Sequence, residues 1–285
     1  MIIRDIKAMS YSEKEFNEDA VGFTKTSTFI IDGASGLTRT NVTNSENDVY
    51  WYVNQWKEIL EANLDTDKSL KDIMKDGLKI IKARFQYLVN KKKVNPLNYP
   101  SAAIAVAKII DNYIEYFILG DCSIILKKND GEVCYFKDDR VTEFDDQVIK
   151  NIMEENKKNL DQHKVFKGFS QKSLEMLRNN RLKKNTDTGY WILEFDERAI
   201  DKGLYGSVFI DDSIKVILMS DGFSLSIDNY GLMDEYTLFD YVKDYGLEKI
   251  YKIIRTIEKD DMDCIKYPRL RKSDDCSAVY MDIGK

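Results

Sequence analysis

Phe29-Ile30-Ile31-Asp32-Gly33-Ala34-Ser35-Gly36-Leu37 is the stretch on which the fold turns. A β-branched apolar run reads as a buried strand, and it stops at a carboxylate followed by a turn of small residues. Gly33 and Gly36 let the backbone bend and leave room beside it. Taken alone, the segment reads as a strand and an Asp-Gly turn. Four more strand-like or turn segments place acids in the same way, giving Asp19, Asp32, Asp121, Asp221 and Asp274.

The chain has 285 residues, 43% hydrophobic and 12% aromatic, enough to bury a sizeable core. With 43 Lys plus Arg against 49 Asp plus Glu, the formal charge is −6, which argues against a general nucleic-acid binder. The Lys91-Lys92-Lys93 run reads as a solvated helix end. No signal-peptide core opens the chain, and no apolar run reaches the ~20 residues that span a bilayer, so no membrane partner is expected. Cys122, Cys134, Cys264 and Cys276 form no C-x-x-C pair, which fits a reducing cytoplasm.

Outward from Asp32 the pattern alternates. Ile2 and Ile3 suggest a short edge strand, and Val21 to Ile31 a hairpin. Val49, Tyr52, Val53, Trp56, Ile59 and Leu60 share one helical face, as do Leu70, Ile73, Met74, Leu78, Ile81, Phe85 and Leu88. Between these helices, Asp65, Asp67 and Ser69 resemble the start of an EF-hand loop. Leu70 stands where that loop needs Gly, so Asp67 is read as a helix N-cap. Residues 103–110, 113–119 and 123–127 read as strands, with hairpin turns at Asp111-Asn112 and Asn129-Asp130-Gly131, hence an antiparallel sheet. Residues 143–187 are polar and helix-biased, with Ile149, Ile152, Met153 and Leu160 as a sparse apolar face. Strands are expected at 190–195 and 205–209. Ile214 to Phe223 repeats the opening pattern of strand, Asp and Gly. Two helices through Leu238 to Ile257 and a last strand from Cys276 to Ile283 complete one domain over residues 1–285.

Converging carboxylates would repel one another without cations between them. Oxygen ligands without Cys or His suit Mg²⁺ or Mn²⁺, and His163, the single histidine, reads as a surface residue. Two metals ~3.5–4 Å apart would favour displacement at phosphorus by a shared water. No P-loop, G-x-G-x-x-G or G-x-S-x-G is present.

In that order along the whole chain, six short segments resemble the metal-dependent serine/threonine protein phosphatases (type 2C, or PPM). Asn17-Glu18-Asp19 matches the first acidic motif and Asp32-Gly33-Ala34-Ser35-Gly36 the D-G-x-G-G. Ser101-Ala102-Ala103 is a degenerate S-G-x-T-A, and Gly120-Asp121-Cys122-Ser123 is similar to G-D-S-R. Ser220-Asp221-Gly222 matches S-D-G, and Asp274-Asp275-Cys276-Ser277 stands at D-N-x-T.

The resemblance implies an α+β fold, a four-layer α-β-β-α sandwich of two antiparallel sheets flanked by helices. It implies that Asp32 bridges two Mn²⁺ or Mg²⁺ ions, with the Gly33 carbonyl on one and Asp221 and Asp274 on the other. Asp19 would hold metal-bound water, with Glu18 nearby, and Asp121 would help hold a possible third ion. Asp19, Asp32 and Asp221 thereby become the catalytic set. Lys14 stands where the family has a phosphate-binding Arg; it keeps the charge and loses the fork. Ala34 replaces a His found in many eukaryotic members, Ser35 a Gly, and Asp275 an Asn. A flap-like region at about 140–205 would shape access. The implied function is hydrolysis of phosphoserine and phosphothreonine in phosphoprotein substrates, opposing a serine/threonine kinase. Lys14, Ser35 and the degenerate Ser101 segment motivate the alternative, a catalytically weak binding or regulatory module on the same fold. A third reading, acids that merely end strands of an unrelated core, leaves the order of six segments unexplained.

Overall fold

The computed structural model describes residues 1–34, 36–37, 40–90, 92–160 and 169–285, without the side chains of 156–160. Ser35, Lys91, Leu160 and His163, which enter the reading above, fall in whole or in part outside these described residues.

Two five-stranded antiparallel sheets stack face to face. One runs β2 (Asp19–Phe23), β3 (Ser27–Ala34), β4 (Ser101–Ile110), β5 (Tyr113–Leu119) and β8 (Leu204–Phe209) in that spatial order. The other runs β1 (Ile2–Tyr11), β10 (Cys276–Gly284), β9 (Ser213–Met219), β6 (Ser123–Lys128) and β7 (Val133–Lys137). Helices α1 (Asp48–Asn63) and α2 (Leu70–Leu88) cover the first sheet. The second is covered by α6 (Asp221–Asp228), α7 (Thr237–Tyr245) and α8 (Leu247–Asp260).

Strand periodicity explains the layers. Phe29 and Ile31 of β3 turn to α1 and α2, packing with Tyr52 and Trp56, while Ile30 between them enters the inter-sheet core. On β4, Ile104 and Val106 face the helices, and Ala103, Ala105 and Ala107 face the other sheet. On β9, Val216 and Leu218 point inward, while Ile217 and Met219 meet the C-terminal helices. Both faces of each sheet are covered, so the central strands read as continuous apolar runs rather than alternating ones.

Several expectations change. The edge strand β1 extends to Tyr11, paired with β10 from Ile2–Gly284 to Tyr11–Cys276; its Arg4, Asp5 and Lys7 hide the strand pattern. The N-cap of α2 is Ser69, whose hydroxyl accepts from the Asp72 amide, and not Asp67. Residues 190–195 form no strand: Leu193 makes a single bridge to Ala102. Asp221 opens helix α6, so the second Asp-Gly differs from the first, where Asp32 and Gly33 remain in β3. In α3 (Arg140–Leu160), Val148 and Ile152 are buried while Met153 is exposed. Helix α4 (Gln171–Arg181) and the short α5 (Arg198–Lys202) follow it.

Among the described residues, no helix is long and apolar enough to cross a membrane.

Candidate active site

The site lies where the two sheets meet at one end. The β2–β3 hairpin sets Asp19 directly opposite Asp32. The next residue, Gly33, donates its amide to the Glu18 carbonyl at 3.0 Å. A Cβ at Gly33 would lie 2.4 Å from that oxygen and 2.5 Å from Val49 Cγ1 of α1, so only glycine lets hairpin and helix close on each other. Asp121 occupies the crossover from β5 to β6. Gly120 before it has φ +85°, the left-handed region, with Ala103 Cβ only 2.7 Å from any added Cβ. Asp221 is the first residue of α6 and donates its amide to Asp32 Oδ2 at 3.3 Å, joining the sheets. Asp274 immediately precedes Asp275 and β10.

Asp32, Gly33, Asp121, Asp221 and Asp274 line one cavity of about 1420 Å³, together with Lys14 and Glu18. Asp19 is brought to the same place but stands behind the wall, 6% exposed. Both its carboxylate oxygens are buried without a hydrogen-bond donor. Helices α3 and α4 supply part of the opposite wall, through Asp145, Ile149, Leu177 and Arg181. Tyr190 and Ile192, farther along the 140–205 stretch, line the cavity as well.

The buried carboxylates act on one another. Burial, then Asp19 and Asp221, raise Asp32 well above the usual carboxylate range. Burial, then Asp274 and Asp121, push Asp221 up to about 7. Burial followed by Asp145 lifts Asp121 to about 6, and burial followed by Asp221 lifts Asp145 to about 6. Burial also raises Asp19 well above its ordinary value, with Asp275 and Asp221 adding to it. Asp274 goes the other way. Its burial is outweighed by the Arg271 guanidinium and the Lys14 ammonium, which hold its carboxyl low.

Lys14 Nζ donates to Asp274 Oδ1 at 2.9 Å and to Asp275 Oδ2 at 3.2 Å, with Glu18 Oε2 at 3.7 Å. Arg271 Nη1 donates to Asp274 Oδ2. Among the described residues, no three His, Cys, Asp or Glu side chains stand together as a ready-made metal cluster. The acids ring a cavity instead, and Asp274 is turned toward the chain's own cations. The donor set nevertheless fits a hard divalent cation. It consists of carboxylate oxygens, Asp19 and Asp221 add to the burial that raises Asp32, and both Asp19 oxygens are buried without a hydrogen-bond partner.

Arg271, Asp145 and Arg181 were not found from sequence. Leu270-Arg271-Lys272-Ser273 has no periodicity, and Asp145 and Arg181 sit in polar helices whose inward faces the sequence does not mark. Only the position of Arg271, three residues before Asp274, offered a signal.

The family model described as protein phosphatase 2C matches residues 8–250, ending before Arg271 and Asp274. Among curated proteins, none matches. Solved structures do. The serine/threonine phosphatase PstP/Ppp of Mycobacterium tuberculosis aligns at 14% identity over 100% of both chains, with a TM-score of 0.58. A PstP catalytic domain in complex with two manganese ions aligns at 13% identity over 100% of both chains, TM-score 0.56. The PPM Ser-Thr phosphatase MsPP of Mycobacterium smegmatis, in complex with cacodylate, aligns at 10% identity over 99% of both, TM-score 0.53. At these identities the structures establish likeness of fold.

Proposed function

The chain belongs to the protein phosphatase 2C family, and on that premise we propose that it is a metal-dependent phosphoprotein phosphatase acting on phosphoserine and phosphothreonine. The observation that carries the proposal is the ring of Asp32, Asp121, Asp221 and Asp274, drawn from four separate parts of the chain onto one cavity, with unpartnered Asp19 behind it. The two manganese ions of the PstP domain support the same reading. In this proposal residues 1–285 act as one catalytic domain in the cytoplasm, opposing a serine/threonine kinase.

Asp32, the Gly33 carbonyl, Asp221 and Asp274 would hold two Mn²⁺ or Mg²⁺ ions, Asp19 would support them from behind, and Asp121 would join a third. When bound, such ions supply an acidic water as nucleophile and positive charge for the phosphoryl oxygens. The chain's own part is positional. Asp32 holds the first turn of α6, and with it Asp221, at a set distance from β3. Lys14 brings positive charge to the cavity for the incoming phosphate. Ala34 lines the cavity and offers no proton, so the leaving serine or threonine oxygen takes one from solvent. Helices α3 and α4 form the wall against which the phosphoprotein chain would lie.

One observation favours a second reading, a regulatory module that binds without turnover: Asp274 is already held by Lys14 and Arg271. The two readings separate on hydrolysis of p-nitrophenyl phosphate and a phosphothreonine peptide with Mn²⁺, Mg²⁺ or EDTA. The phosphatase turns over only with metal, and Asp32→Asn and Asp221→Asn fall to background while remaining folded. An unchanged rate in either variant overturns the assignment of these acids. Folded wild type inert with every metal favours the binding module.

A further inference from the structure

Among the described residues, three arginines line the cavity: Arg181, Arg269 and Arg271. Arg269 is committed to structure. Its Nη1 meets Asp261 Oδ2 and the Tyr267 carbonyl, Nη2 the Asp261 carbonyl and Nε the Lys272 carbonyl. Arg181, on α4, has a bonding partner of its own. Arg271 differs from both.

Its Nη1 donates to Asp274 Oδ2, and among the described residues Nε and Nη2 donate to no protein acceptor. Its side chain keeps 38% of its surface open, against 5% for Arg269. The guanidinium thus stands at the cavity wall with one edge anchored and two donors available. Its burial is offset by Asp274 first and then by Asp221 and Asp32, which hold the guanidinium charged. Lys14 is placed differently. Its ammonium faces three carboxylates, and an ammonium is a point donor without a planar fork.

We propose that Arg271 is a substrate-binding residue that grips the phosphate monoester through Nε and Nη2, supplying the bidentate contact that Lys14 does not. The anchor on Asp274 fixes the guanidinium plane before substrate arrives, so little side-chain freedom is lost on binding. It also sets the phosphate next to the carboxylate that the proposed function gives to a metal. The identity of the ligand as a phosphate monoester rests on the phosphatase reading.

The test uses inorganic phosphate as probe, titrated calorimetrically into the Mn²⁺-equilibrated full chain, for wild type, Arg271→Met and Arg271→Lys. Mn²⁺ affinity is measured separately for each, because Arg271 touches Asp274. Phosphate affinity is expected to fall about tenfold or more in Arg271→Met, with Mn²⁺ affinity retained and part of the loss recovered in Arg271→Lys. In turnover assays the same loss should raise KM, with a smaller change in kcat. Phosphate affinity that is absent in wild type, unchanged in Arg271→Met, or lost only in step with Mn²⁺, overturns the inference. Wild type that binds phosphate through Arg271 but hydrolyses nothing sinks the phosphatase reading alone. Active wild type whose Arg271→Met keeps its KM and phosphate affinity sinks the inference alone.

Discussion

Two departures from the family pattern meet in space: Lys14 and Asp275 form an ion pair at 3.2 Å. Asp275 is 3% exposed and gathers the first acidic loop, accepting from Ser12 Oγ at 2.5 Å and from the Glu18 amide at 2.9 Å. Oδ2 takes both Lys14 and Glu18 while Oδ1 takes Ser12, three donors for which an asparagine would offer a single acceptor oxygen. The neighbouring carbonyl sets another constraint. A Cβ on Gly222 would stand 2.1 Å from the Asp275 carbonyl oxygen, so α6 would have to move away from the start of β10 and carry Asp221 with it. Gly222→Ala is therefore expected to cost about 1–3 kcal/mol and to lower activity, read by denaturant titration and phosphatase assay. Gly36→Ala, with nothing within 4 Å, serves as the control and should match wild type in stability. Equal stability of Gly222→Ala and wild type would contradict the close contact.

At the scale of elements, the start of α2 separates two adjacent candidates. Ser69 accepts from the Asp72 amide at 3.1 Å and donates to Asp72 Oδ2 at 2.7 Å, a reciprocal cap three residues apart. Ser69→Ala should cost about 1 kcal/mol, whereas Asp67→Ala should leave the unfolding midpoint in place. The opposite order would restore Asp67 as the cap. Helix packing was more open to reading than capping. Seven apolar positions at helical spacing mark the face of α2, and all except half-buried Leu88 are buried. The segment 190–195 shows where local pattern misleads. Trp191, Ile192 and Leu193 are buried by packing on helices and strand ends, and burial alone made them look like a strand.

Across the whole molecule, the acids tie stability to pH and metal. Asp221, with an ordinary value of 3.8, is pushed up to about 7 in the folded chain by burial first and by Asp274 and Asp121 next. A carboxyl raised on folding contributes stability below its unfolded value, and that contribution is lost as pH rises through the folded value. Without metal, wild type should therefore lose thermal stability relative to Asp221→Asn as pH goes from about 4 to about 7. Saturating Mn²⁺ should reverse the difference, because cations between the carboxylates stabilise the ionised folded form. Melting curves with EDTA and with Mn²⁺ measure both. A gap between the two proteins that does not vary with pH would show that Asp221 is not crowded by its neighbours.

What the sequence determined by itself is what depends on neighbours in the chain. Apolar runs at strand spacing, two helical faces before residue 90, hairpin turns at Asp111 and Gly131, and acids in a fixed order all follow from local backbone geometry. They sufficed for the strands, the hairpins, the helical faces and the acids at strand ends, while the family resemblance implied two stacked sheets flanked by helices. Only the tertiary structure decided that Asp19 lies behind the cavity wall, that Asp145 comes in from α3, and that Lys14 and Arg271 close on Asp274. Lys14 and Asp274 are 260 positions apart, and their contact depends on the register of β1 on β10. No local periodicity encodes that register, because it is set by the pairing of two strands from opposite ends of the chain.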